Sequence, residues 1–106
     1  MNYRFMRIIV FFDLPMETVK EKSIYTHFRK FLIKNGFIMM QKSVYCKLAL
    51  NKTVSESIKS LIRKNKPPNG LLQVLEITEK QYSVIEYLLG ESQTKIIESD
   101  KRVVEI

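Results

Sequence analysis

A single cysteine, Cys46, leaves this chain unable to form an intrachain disulfide, so a stapled secreted framework is excluded. It lies in an apolar, strand-like run, where a free thiol packs as a small hydrophobe rather than acting as a nucleophile. One cysteine and one histidine, His27, are too few for a zinc site. There is no tryptophan, no G-x-S-x-G elbow, no Walker A loop and no G-x-G-x-x-G turn. No apolar stretch approaches the roughly 18 residues of a membrane span. Arg4 and Arg7 before Ile8–Phe12 mimic the start of a signal peptide. The apolar run stops at Asp13, short of the roughly 7–15 residues an h-region needs, and no small-residue cleavage site follows. A cytoplasmic protein with no membrane partner is expected.

What is present is a folding composition of 106 residues, 45% hydrophobic and 27% charged, enough for one domain. The net charge is +7 and it is unevenly placed. From Glu17 to Asn35 five basic residues face two acids, a net of +3, and from Lys52 to Asn69 five face one, a net of +4. From Gly70 to Ile106 four basic residues face seven acids, a net of −3. A basic first part suits a polyanion, because phosphate contacts give affinity without sequence reading. Solvated helix faces would look the same in composition.

Hydrophobic periodicity orders the elements. Arg4 to Phe12 reads as a buried strand, ended by Asp13-Leu14-Pro15. Helix one has Ile24, Phe28, Phe31 and Leu32 on one core-facing stripe. Lys20, His27, Lys30 and Lys34 form a second stripe, with Lys22 and Arg29 beside it. Asn35-Gly36 ends that helix. Phe37 to Leu50 is extended, with Val44, Cys46, Leu48 and Leu50 alternating against Tyr45, Lys47 and Ala49. Lys42 interrupts the phase, so a bulge or tight turn is expected at Gln41-Lys42-Ser43, splitting the run into two strands. Thr53-Val54-Ser55-Glu56 reads as a capping box opening helix two, whose stripe is Val54, Ile58, Leu61 and Ile62. Pro67-Pro68-Asn69-Gly70 breaks the chain. Leu71 to Ile77 reads as a strand, Thr78-Glu79-Lys80-Gln81 as a capping box on a short helical turn, and Ile85 to Leu89 as a further short strand.

The order β-α-β-β-α-β predicts an α+β, ferredoxin-like sandwich over residues 1–90. Residues 91–106 form a C-terminal extension. Val103, Val104 and Ile106 are apolar for a solvated tail, and an extra strand there has no place in its own small sheet. It is expected to pair with a partner chain, a frayed terminus being the alternative.

Chemistry rests on few residues. Asp13 closes the first strand, where its carboxylate can project beyond the sheet. Mg²⁺ takes one or two carboxylates and fills its octahedron with waters and phosphates. Two Asp13 side chains across a two-fold axis can share one such ion; equally, Asp13 can simply end the strand. Imidazole titrates near neutrality, so His27 is a candidate base, phosphate contact or solvent contact. Lys42, Ser43 and Tyr45 stand where the strand pattern breaks. The hydroxyls can meet phosphate or satisfy a local backbone group.

Ile8–Pro15, Tyr25 with Phe28–Leu32, Asn35–Met39, Gln41–Tyr45 and Thr78–Gln81 occur in an order and spacing that resembles the CRISPR-associated protein two family, the small endonucleases of spacer acquisition. The likeness covers nearly the whole chain. Ser23 and Thr26 depart from it, standing where many relatives carry basic residues. The resemblance implies a ferredoxin-like homodimer with Asp13 as catalytic and magnesium-binding residue. It also implies that the dimer bridges two dimers of a CRISPR integrase and serves as the platform for a double-stranded DNA prespacer, with RNA or DNA as the reported cleavage substrate. Lys20, Lys22, His27, Arg29, Lys30, Lys34, Lys42 and Ser43 are then the expected nucleic-acid contacts, and Val103, Val104 and Ile106 the partner contacts. A stand-alone Mg²⁺-dependent nuclease and a metabolite-sensing regulatory dimer are the alternatives.

Overall fold

The computed structural model describes residues 5–91. Their elements are β1 (Met6–Asp13), α1 (Val19–Lys34), β2 (Ile38–Gln41), β3 (Val44–Ala49), α2 (Lys52–Lys64), β4 (Leu71–Thr78) and the short α3 (Glu79–Ser83). The strands form one antiparallel sheet in the order β2-β3-β1-β4, which is the ferredoxin-like arrangement. The expected irregularity is present: the β2–β3 register shifts between Met39 and Gln41, and Lys42-Ser43 make the turn.

The central strand β1 divides the sheet into two faces. Ile8, Val10 and Phe12 point to the helices and join Tyr25, Phe28, Leu32, Tyr45, Ile58 and Ile62 in the core. Phe12 is the aromatic hub, 5.2 Å from Phe28, 5.6 Å from Tyr25 and 5.7 Å from Tyr45 between ring centroids. Arg7, Ile9, Phe11 and Asp13 alternate to the opposite face. Their cross-strand partners Leu48, Cys46 and Val44 on β3, and Ile77, Leu75, Gln73 and Leu71 on β4, share it.

The helices sit one position round from the expected stripes. On α1 the buried residues are Tyr25, Phe28 and Leu32, with Ile24 only half-buried. On α2 they are Ser55, Ile58 and Ile62, while Val54 and Leu61 are exposed. Both displaced positions go to polar side chains with a partner: the Tyr25 hydroxyl lies 3.0 Å from Ser43 Oγ, and Ser55 Oγ donates to Glu76 at 2.8 Å. A hydrogen-bonded hydroxyl is no obstacle to burial.

The helix starts follow capping chemistry. Thr18 and Glu21 form a reciprocal box at the start of α1. The expected box at Thr53 is not used; Asn51 caps α2 instead, its side chain accepting from Val54 N at 2.9 Å. Asparagine is as good a cap as threonine, and Glu56 is thereby left to meet Lys52 and Lys59. The box at Thr78 and Gln81 forms as expected.

The strand expected at Ile85–Leu89 is absent; the segment is irregular, with Leu88 and Leu89 more than nine-tenths exposed. The chain leaves α3 in a turn, the backbone N–H groups of Val84 and Ile85 donating back to the Gln81 and Tyr82 carbonyls rather than to a sheet edge. The sequence positions Val103, Val104 and Ile106, and with them the extra C-terminal strand, lie outside the described residues.

A polar cluster pins α3 to the face of the sheet away from α1 and α2. Arg7 is nearly buried, and its guanidinium donates from Nε to Glu79 Oε1 at 2.9 Å and from Nη2 to Oε2 at 2.6 Å. It also lies 4.1 Å over the Tyr82 ring. Cys46 sits beneath, 3.8 Å from both Arg7 Nη1 and the Tyr82 hydroxyl. Burial pushes the Cys46 thiol up, and burial together with the Cys46 contact drives Tyr82 up to about 12 against the opposing pull of Arg7; a buried thiol shifted this way is a poor nucleophile. Glu79→Ala would strand a desolvated guanidinium and should lower unfolding stability by about 2 kcal/mol in urea titration, less than a fully buried pair because Glu79 is one-third exposed.

Candidate nucleic-acid and metal site

Asp13 is the last residue of β1 and is exposed. It pairs with Leu71 on one side, and Phe12 N donates to the Ser43 carbonyl at 3.0 Å on the other. The β2–β3 turn is thus drawn against the end of β1. Ser43 holds φ at 66°, a left-handed conformation that the tight turn imposes. Gly70 is needed beside it: at φ 101°, a Cβ there would lie 2.9 Å from the Asp13 carbonyl oxygen. The result is a shallow depression of about 220 Å³ lined by Asp13, Lys42, Ser43, Phe11, Leu71 and Gln73, among others. Three residues singled out in the sequence, Asp13, Lys42 and Ser43, therefore stand together.

The hydroxyls there have different partners from those expected. Ser43 Oγ meets Tyr25, and the Tyr45 hydroxyl accepts from Arg29 Nε at 3.0 Å. They serve to dock α1 on the turn, rather than to satisfy local backbone.

The donor set fits a hard cation only in part. Asp13 is the one carboxylate lining the depression. Among the described residues no three His, Cys, Asp or Glu side chains cluster as metal ligands. One carboxylate per chain meets the minimum that Mg²⁺ asks of a protein when waters and phosphates complete its shell.

The basic residues of α1 fall into two groups. Arg29 leans on Tyr45 and marks the flank toward the β2–β3 turn, with Lys22 one heptad before it. Lys20, His27, Lys30 and Lys34 occupy the other flank, and His27 borders a groove between α1 and the 65–68 loop. All six are exposed, and none forms an ion pair among the described residues.

The charge of α2 is different. Lys52 and Lys59 each donate to Glu76 Oε1 at 2.8 Å, and Lys59 also meets Glu56 at 2.9 Å. The hydrogen bonds from Lys52, Lys59 and Ser55 hold Glu76 down to about 2. Two of the lysines in the basic Lys52–Asn69 segment are therefore spent on the protein itself, leaving Arg63, Lys64 and Lys66 outward. Glu76 was missed in the sequence; the signal was an acid inside an apolar strand, in phase with its helix-facing residues.

The fold and this site define a class: small ferredoxin-like domains with a lone strand-end carboxylate beside a lysine-bearing turn. Within that class the chain belongs to the family described as CRISPR associated protein Cas2, which matches residues 6–85. It is 57% identical over 99 residues to a CRISPR-associated endoribonuclease Cas2 of Treponema denticola, covering 93% of this chain and 98% of that one. It is 44% identical to the Streptococcus mutans protein of the same name, over 93% of this chain and 91% of that one. The Ligilactobacillus salivarius protein, also so named, is 41% identical over 93% of this chain and 98% of its own.

The Glu76 network has a pH signature. A carboxyl with a folded value near 2 and an ordinary value of 4.5 stabilises the fold above 4.5, and that contribution is lost as pH falls through about 2. Glu76→Gln should lower stability at pH 7 by about 1–2 kcal/mol, and the deficit should shrink between pH 4.5 and 2 in denaturant titrations.

Proposed function

We propose that this chain acts in CRISPR spacer acquisition as a homodimer that holds duplex DNA and bridges copies of the CRISPR integrase. The observation that carries the reading is the apolar sheet face away from α1 and α2, which among the described residues only α3 covers, at the Arg7 end, with Asp13 and Lys42 at its opposite rim. Phe11, Val44, Leu48, Leu71 and Leu75 lie on that face, with Leu71 and Leu75 each about half exposed. An apolar sheet face of this kind marks an interface. A second copy seated there brings a second Asp13 toward the first, since the residue sits on the same face. Family membership supports the CRISPR context, and Val103, Val104 and Ile106 are the proposed contacts to the partner protomer or integrase.

The exposed cations supply the affinity. Lys22 and Arg29 on one flank of α1, Lys20, Lys30 and Lys34 on the other, and Lys42 on the turn offer phosphate contacts without base reading.

The relatives are named endoribonucleases, and the Asp13 depression favours phosphodiester cleavage as a second activity of the same dimer, on RNA or DNA. There Asp13 would hold Mg²⁺. The ion supplies Lewis acidity toward a phosphate oxygen and lowers the pKa of bound water. Lys42 balances phosphate charge in the same depression, and Ser43, tied to Tyr25, keeps the turn in place. Nothing in this arrangement makes cleavage necessary for holding a duplex.

The test is duplex binding across a salt series. Affinity should fall steeply as salt rises, and Lys30→Ala with Lys34→Ala should weaken binding and lower the log–log slope by about 1 for each phosphate contact removed. Asp13→Ala should keep duplex affinity while losing metal-dependent cleavage. Salt-insensitive binding contradicts the electrostatic reading, and undiminished cleavage by Asp13→Ala contradicts the metal site.

A further inference from the structure

The groove between α1 and the loop after α2 is a separate feature. Along α1, Lys20, Ile24, His27, Phe31 and Lys34 recur at i, i+4, i+7, i+11 and i+14, so they form one stripe. Its apolar middle and His27 face Asn65, Lys66 and Pro67 across a groove of about 290 Å³. The chemistry of the lining is asymmetric. Ile24, Phe31 and Pro67 give flat apolar walls, and His27 and Lys66 give cationic or hydrogen-bonding groups at the margin. Asn65 donates its amide to the Leu61 carbonyl at 2.9 Å, which leaves its side-chain oxygen as an acceptor. Lys66 Nζ has only a long contact, 3.5 Å to the Arg63 carbonyl. Among the described residues no acidic side chain lines the groove, and Lys20 and Lys34 bracket it along the helix.

We propose that this groove binds one phosphorylated nucleotide unit, with the base against Ile24, Phe31 and Pro67 and the phosphate at His27 and Lys66. A volume of about 290 Å³ is at the low end of small-ligand pockets, which run from roughly 300 Å³ upward, so it takes one nucleotide and not a run of them. Aromatic and apolar walls accept any base by its face, and cations hold its phosphate. A paired base keeps its faces stacked inside the duplex, so the occupant is unpaired: a free nucleotide or an unpaired residue of a strand. Its phosphate contacts, His27 and Lys66, are not among the duplex contacts proposed above, so the two readings fail separately.

His27 is the only histidine, which gives the full chain a single imidazole signal to follow by NMR. Adenosine monophosphate should shift that signal saturably, with adenosine and inorganic phosphate each binding roughly tenfold more weakly. Lys66→Ala should weaken the mononucleotide by roughly tenfold, the loss expected for one charged hydrogen bond. Ser23→Tyr, which fills the groove from an exposed helix position, should abolish the shift while circular dichroism stays that of the wild type. Displacement of the bound mononucleotide by a duplex with unpaired ends, but not by a blunt duplex, identifies a strand as the source; displacement by neither identifies a free nucleotide. The proposal is overturned if the mononucleotide gives no saturable shift, if phosphate alone matches it, if the folded Ser23→Tyr chain still binds it, or if blunt duplex displaces it equally. Blunt-duplex affinity measured on the same samples reports on the duplex reading by itself.

Discussion

The structure depends on the alternation of side chains along β1. This strand is paired on both sides, so its backbone is fully committed and its side chains have only two places to go. Even-numbered residues from Ile8 to Phe12 enter the helix-covered core. Odd-numbered residues from Arg7 to Asp13 emerge on the other face. A slip of one residue would exchange the two sets, putting a guanidinium among Phe28 and Leu32 and the Phe12 ring on the opposite face. That constraint ties the fold to the candidate site: it sends Asp13 to the rim of the face away from α1 and α2 and Arg7 to its opposite end, where Glu79 and Tyr82 close it off.

The electrostatics divide between holding the protein together and meeting something outside. Lys52, Lys59 and Arg7 are matched by Glu76, Glu56 and Glu79. These pairs clamp α2 to β4 and α3 to β1. The α1 cations have no acidic partners among the described residues and stay in solvent. A net charge of +7 therefore understates how one-sided the outward charge of α1 is.

Much of this was legible in the sequence because period and turn chemistry agree. The strand ending at Asp13, the Asn35-Gly36 cap, the split at Gln41–Ser43, the Pro67–Gly70 break and the Thr78 box all lie where they were expected. What sequence reading lost was hydrogen bonding over distance. It ranked Ile24 above Tyr25 and Val54 above Ser55 by hydropathy, but the buried places went to the residues whose hydroxyls find Ser43 and Glu76. It counted Lys52 and Lys59 as free charge, because Glu76 is 24 and 17 residues away. It read Ile85–Leu89 as a strand from β-prone residues, although the backbone there turns back on α3. For the candidate site, the grouping of Asp13 with Lys42 and Ser43 was implicit in the antiparallel order, while Leu71 and Gln73 could be placed there only from the β4 register.

The central claim is that the sheet face away from α1 and α2 is where two copies meet, which brings the Asp13 carboxylates to a common centre. The most direct measurement is the solution mass by sedimentation equilibrium of the wild type and of Leu75→Lys, a substitution at mid-length of the edge strand β4, on that face and away from the core. The account predicts a dimer for the wild type and a folded monomer for the variant. A wild type that stays monomeric at all concentrations, or a variant that dimerises equally well, would contradict it.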